Sequence, residues 1–198
     1  MKKLSLSLCA VALFMWAPCH LSALQIDADV ARIDFISYKM ASKIRVPESG
    51  APATFKDAKF SFAKTSGSVA EILQDTSVEF DLSSIDTGKN VVRDNNVKSK
   101  FFALLTTQKV SGKIVSVTGD DTSGTANALI NFNGASKEVA LKYEIKGGRL
   151  VAMGQIDLQS DFDAKEAFDK FAADKVIQGL HGKKTWPQIE VGFEVPVK

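Results

Sequence analysis

Histidine and cysteine have the widest chemical range, and this 198-residue chain has two of each. Cys9, Cys19 and His20 all fall within the first 23 residues, which leaves His181 as the one histidine beyond them. A Ser-His-Asp relay would have to be built on His181, yet no Gly-x-Ser-x-Gly elbow accompanies it. His181 lies between Leu180 and Gly182, where a helix should end and the helix dipole favours a cationic or polar residue. One histidine and no cysteine cannot form a zinc site of the Cys/His kind. Asp157, Asp161, Asp163 and Glu166 offer oxygens that calcium could take, but they lack the glycine-centred loop of a calcium hand. They read instead as the cap and solvated face of a helix start. A hydrolase pairing Asp157, Asp161 or Asp163 with His181 is the one enzymatic arrangement left open. No Gly-x-Gly-x-x-Gly and no phosphate loop occurs. The expectation is a protein with no catalytic residue, no metal and no cofactor.

Met1-Lys2-Lys3, the apolar run Leu4 to Ala17 and the small residues of Leu21-Ser22-Ala23 have the layout of a secretory signal peptide. The run is too short to span a bilayer comfortably. Pro18 before Cys19 argues against a lipoprotein, where a small residue normally stands. Cleavage near Ala23 would leave residues 24–198 as one domain, periplasmic or secreted and free of thiols and disulfides. Without Lys2 and Lys3 the chain has 23 basic residues against 23 acidic. No clustered Lys and Arg remains to neutralise a run of phosphates, so nucleic acid is set aside. No second apolar stretch is long enough for stable membrane insertion.

The elements that must position any site are strands. Val78, Phe80 and Leu82 alternate with polar residues, as do Val139, Leu141, Tyr143 and Ile145, and Ile189, Val191, Phe193, Val195 and Val197. A period of two puts each set on one face. Shorter alternations occur at 33–40, 59–62, 113–118, 126–132 and 150–158. Asn133-Gly134 and Gly147-Gly148 supply the positive φ angles of tight reversals. The pattern predicts an all-β, antiparallel sheet with one dry face, closed as a barrel or packed as a sandwich. Two segments break it. Asp163 with Glu166 three places on reads as a helix start, and Phe168, Phe171, Ala172, Val176 and Leu180 continue one amphipathic helix over 164–180. Val97, Phe101, Leu104 and Leu105 share a face of a second helix over 94–105. Such helices could plug a barrel end or pack outside the sheet.

The positive signal is aromatic. Phe35, Phe60, Phe62, Phe80, Phe132 and Phe193 fall on inward faces by the period argument. A small barrel either fills its interior with side chains or leaves room for one ligand, and phenyl walls would suit a long apolar tail. The competing reading is a β-sandwich without a cavity that works by surface interaction.

One stretch bears on that choice. Ser84-Ile85-Asp86-Thr87, then Arg93, Asp94, Lys98, Ser99, Phe101 and Phe102, resembles a motif of the YceI-like family, the lipocalin-like polyisoprenoid-binding proteins. Ile130-Asn131-Phe132-Asn133-Gly134-Ala135-Ser136-Lys137, followed by Val139 and Leu141, is similar to that family's hairpin. Asn96 and Val97 stand where the family usually has His-Leu, the Phe pair comes one residue early, and Lys39-Met40-Ala41 replaces a histidine before Met-Gly. The chain thus resembles a divergent branch. The resemblance implies an eight-stranded antiparallel lipocalin-like barrel with one or two short helices, in an exported protein that is often a homodimer. It implies a partner that is a long-chain isoprenoid or fatty amphiphile, held for storage or transport without catalysis. On this reading Phe35, Tyr38, Phe60, Phe62, Phe80, Phe101, Phe102, Phe132 and Tyr143 would line the pore. Arg93, Asn95 and Asn96 would meet the head group. Asp86, Thr87 and Gly88 can also form a simple turn whose Asp side chain accepts backbone amides.

Overall fold

A computed structural model describes residues 23–198. The expected signal segment lies outside the described residues, apart from Ala23. Thirteen strands occur in chain order: β1 (Leu24–Gln25), β2 (Arg32–Lys39), β3 (Ile44–Val46), β4 (Thr54–Phe55), β5 (Lys59–Ser61), β6 (Ser66–Gly67), β7 (Ser77–Asp81), β8 (Ile85–Asp86), β9 (Lys109–Gly119), β10 (Ser123–Phe132), β11 (Ala135–Lys146), β12 (Arg149–Asp157) and β13 (Gln188–Pro196). Four α-helices accompany them: α1 (Val69–Leu73), α2 (Val91–Lys100), α3 (Lys165–Ala173) and α4 (Lys175–Leu180).

The main sheet is antiparallel throughout, in the order β3-β2-β13-β12-β11-β10-β9-β7-β5. It curls into a half-barrel of nine segments where an eight-stranded barrel was expected, and the three-residue strands β3 and β5 form its two edges. Two small ribbons, β1-β6 and β4-β8, complete the strands. The alternation read from the sequence sets the faces. Phe80, Ile114, Leu141 and Phe193 turn to the concave side and join one continuous core. The β10–β11 reversal uses Asn133 at φ 50° and Gly134 at φ 84°. The buried Asn133 side chain does more than turn the chain. It accepts from the Thr106 amide at 2.7 Å and donates to the Asp163 carbonyl, tying the hairpin to two loops.

On the convex side Arg32, Asp34, Glu194 and Arg149 staple β2, β13 and β12 together. Arg32 Nε lies 3.0 Å from Asp34 and 2.7 Å from Glu194, and Arg149 reaches Glu194 at 2.9 Å. Burial pushes the Asp34 carboxyl up to about 6 despite the neighbouring guanidiniums.

The helices differ from the sequence expectation in three ways. The segment expected as one helix over 164–180 is two, because Asp174 takes an extended conformation (ψ 131°) and its carboxylate caps Val176 and Ile177. The first of these starts at Ala164 with no side-chain cap, so Asp163 does not cap it. The helix expected over 94–105 starts earlier, at Val91 with Asn90 as its cap. It ends at Lys100 before a separate 3-10 turn, Phe102–Leu104, which leaves Leu104 exposed. Helix α1 was not expected at all. Its capping box, Ser68 with Glu71, is a legible signal, and Val69, Ile72 and Leu73 are fully buried against the end of the sheet near the β9–β10 turn.

That end is closed tightly by Tyr143, whose hydroxyl donates to the Asp120 carbonyl at 2.8 Å. Its ring lies over Gly119 and Gly124, and a Cβ on Gly124 would sit 2.5 Å from the Tyr143 hydroxyl and 2.2 Å from the Thr118 carbonyl. Gly124→Ala is therefore expected to cost about 1–3 kcal/mol through overpacking, seen as a lower urea midpoint with an unchanged m-value.

Candidate ligand-binding cavity

The concave face of the sheet is met only by helices, loops and the two-stranded β4-β8 ribbon, and the space enclosed is a cavity of about 550 Å³. The strands supply its walls through their inward positions: Ile33 and Phe35 from β2, Val78 and Phe80 from β7, Ala128 and Ile130 from β10. Phe55 stacks on Phe80 with ring centroids 4.4 Å apart and tilts against Phe35 at 5.2 Å. At the end opposite α1, Phe101 packs on Phe102, Phe168 and Phe171 at 5.6, 6.4 and 5.6 Å. The helices thus sit over a barrel end. The cavity between them and the sheet departs from the cavity-free sandwich.

Nine of the twelve residues singled out from the sequence line this space: Phe35, Tyr38, Phe60, Phe80, Arg93, Asn96, Phe101, Phe102 and Phe132. Three do not. Tyr143 faces inward but is used up closing the α1 end. Phe62 follows the last residue of β5, so the alternation no longer directs it, and it stacks on Phe60 at 5.7 Å. Asn95 is exposed on α2. Sequence reasoning missed Phe55, Phe168, Phe171 and Ile177 as wall residues, and also Trp186 and His181. Phe55 belongs to a two-residue strand too short to show a period. Phe168 and Phe171 were legible as a helix face, but not what that face would meet.

The Ser84–Phe102 motif forms the mouth. Asp86 accepts from the amides of Gly88 and Lys89 at 2.9 and 2.6 Å, which is the turn expected from its sequence. Asp94 accepts from the Thr87 amide at 2.9 Å and its hydroxyl at 2.6 Å, and Arg93 donates to the Thr87 carbonyl at 3.2 Å. The polar residues of the motif thus lock the turn onto the first turns of α2. Arg93 is also among the residues that line the cavity.

Across the mouth, Tyr38 donates to Glu190, and burial with that carboxylate pushes its hydroxyl up to about 12. His181 pairs through Nδ1 with the Thr185 hydroxyl at 2.8 Å. Burial, then the charges of Lys39 and Arg93, hold its pKa below the ordinary histidine value of 6.5. It stands at the C-terminal cap of α4, the expected helix end, as a neutral residue of the cavity wall at pH 7. The carboxylates of Asp157 and Asp161 are engaged away from His181. Asp157 accepts from the Gln159 amide at 2.8 Å and from Gln188, and Asp161 accepts from Lys137 and from the Asp157 amide at 2.7 Å. Among the described residues no group of three His, Cys, Asp or Glu is placed to hold a metal.

Comparison with known proteins follows this geometry. The family model described as YceI-like domain matches residues 24–196. No curated protein matches the chain. A polyisoprenoid binding domain from Saccharophagus degradans, implicated in plant cell wall breakdown, superposes with a TM-score of 0.55 at 15% identity, covering 89% of this chain and 98% of that one. BcnA of Burkholderia cenocepacia gives 0.54 at 12% identity, covering 87% and 99%. The YceI protein of Campylobacter jejuni gives 0.52 at 18%, covering 76% and 86%. At these identities the likeness concerns the fold.

His181 supplies a test of the mouth. Its folded pKa lies below the unfolded value, so its contribution to stability is complete above about pH 6.5 and is lost as pH falls through the lowered value. Urea midpoints measured between about pH 5 and pH 8 should show this loss in the wild type. The difference between wild type and His181→Gln should isolate it from the carboxylates. Parallel curves would mean the ring is not desolvated.

Proposed function

The chain belongs to the YceI-like domain family, and on that footing we propose that it is an exported carrier of a long-chain isoprenoid or fatty amphiphile. The apolar tail lies inside the half-barrel, for storage or transport, and no reaction is catalysed. The observation that carries the reading is the phenyl-walled cavity of about 550 Å³. The signal-peptide pattern of the first 23 residues supports export to the periplasm or beyond. The polyisoprenoid-binding name of one structural neighbour supports the ligand class.

The magnitudes are consistent. If a methylene takes about the 30 Å³ that a water molecule occupies in the liquid, the cavity accepts on the order of 18 carbons, or between three and four isoprene units. Each buried methylene contributes about 0.8 kcal/mol, so one five-carbon unit brings about 3–4 kcal/mol. Three units outweigh several kcal/mol of lost freedom on binding, and no elaborate polar site is needed. Arg93 and Asn96 are placed at the mouth to orient a head group. Asn95, exposed on α2, would meet only a head group that extends outside.

Affinity for prenyl alcohols should rise with each isoprene unit and level off at about four, as measured by tryptophan or ligand fluorescence. Equal affinity for short and long tails would overturn the mechanism. Ala128→Phe, which places a phenyl group in the cavity, should move the plateau to a shorter tail at a stability cost of about 1–3 kcal/mol. Native mass spectrometry of protein from its own host, followed by solvent extraction, should release a long-chain lipid and name it.

A further inference from the structure

The carrier reading leaves open how a tail that is insoluble in water enters the cavity. Helices α2 and α4 flank the mouth with their ends reversed. Lys100, the last residue of α2, meets the α4 cap Asp174 at 2.8 Å. At the other end Val92 and Arg93 of α2 line the same cavity as Leu180 and His181 at the close of α4. Val91 and Val92 are 67% and 71% exposed, and Val176 and Leu180 are each 51% exposed. Half of the eight large exposed hydrophobics among the described residues therefore sit on these two short helices. Elsewhere they occur singly, which is ordinary for a protein surface. Val92 and Leu180 are both exposed and part of the cavity wall, so outer patch and interior form one apolar path.

Unpaired lysines predominate around this patch, where Asp94 and Glu190 are the acids without a cationic partner. Lys43, Lys89, Lys98, Lys175, Lys183 and Lys184 lie on α2, α4 and the loops beside the mouth, and none has an ion-pair partner among the described residues. The acids of the same elements are all engaged: Glu48 with Lys39, Asp86 with Lys56, Asp174 with Lys100, and Asp94 with Thr87. Trp186 lines the cavity, and Lys43 and Lys184 lie over its ring at 5.5 and 4.7 Å. Exposed aliphatic side chains ringed by free cations, with an indole beside them, match the boundary of an anionic bilayer.

We propose that the α2–α4 mouth is a docking surface for an anionic lipid bilayer, onto which the protein settles reversibly to exchange a tail. This rests on the carrier reading. No helix among the described residues is long and apolar enough to cross a membrane, and a patch of four aliphatic residues gives peripheral contact that salt releases.

The test uses sedimentation of purified protein with vesicles of equal parts phosphatidylglycerol and phosphatidylcholine, and with phosphatidylcholine alone. Wild type should bind the anionic vesicles preferentially and leave them as salt is raised. Val91→Asp with Val176→Asp alters exposed residues that do not line the cavity, so circular dichroism and binding of a short prenyl alcohol in solution should not change while vesicle binding falls at least tenfold. Lys175→Gln with Lys183→Gln should reduce vesicle binding by about fivefold for each lysine removed. Failure of wild type to bind anionic vesicles while it still binds the alcohol would overturn the docking surface alone. Vesicle binding without alcohol binding would overturn the carrier reading alone. A dimer in solution that the Val91→Asp, Val176→Asp protein loses, with no vesicle binding by wild type, would reassign the patch to a second copy of this chain and overturn the proposal.

Discussion

A single curled sheet with one dry face cannot bury that face against itself unless side chains fill the whole interior. Here they do not, and the rest of the structure follows from that constraint. Small residues stand beside larger ones on neighbouring strands of the wall: Ala128 is paired with Ile114, and Gly112 with Ile130. Phe55 bridges Phe35 and Phe80, and Phe60 meets Phe193 at 6.0 Å, yet open space remains between the walls. The two ends must then be sealed by other elements. Helix α1 with Tyr143 seals one tightly, and the phenylalanine cluster under α2, α3 and α4 covers the other incompletely.

The incomplete end is where polar chemistry collects, and most of it is spent on holding the chain in place. Asp86 and Asp94 satisfy amides of the 87–89 turn, Asn90 caps α2, and Asn133 joins three segments. Asp86, Asp94 and Asn133 are buried or half-buried polar groups with their partners present, as such groups must be. On the proposed carrier function, recognition would come chiefly from apolar area and length, with Arg93 and Asn96 as orienting groups. A neutral His181 fits the same logic, because a charged imidazole beside Lys39 and Arg93 would place a third cation on an apolar wall.

The strand faces were legible because a period of two leaves no choice of register once one face is dry. β7, β11 and β13 lie where alternation put them, and Asn133-Gly134 turns as that pair must. The Ser68–Glu71 capping box marks α1 in plain residues. The Asp174 cap that divides 164–180 was hidden by an apolar spacing that continues across the break.

The amino-acid sequence by itself determined which residues could face inward and that they were aromatic, because these depend on composition and on neighbours a few positions apart. Only the tertiary structure decided which inward residues touch open space. Phe62 and Tyr143 obey the same alternation as Phe60 and Leu141, yet one lies past a strand end and the other is consumed by a cradle of two glycines. Whether a core is filled or hollow depends on the distance between walls that are far apart in the chain. That distance comes from sheet curvature and from how the helices seat on its ends, and no local pattern of residues encodes it.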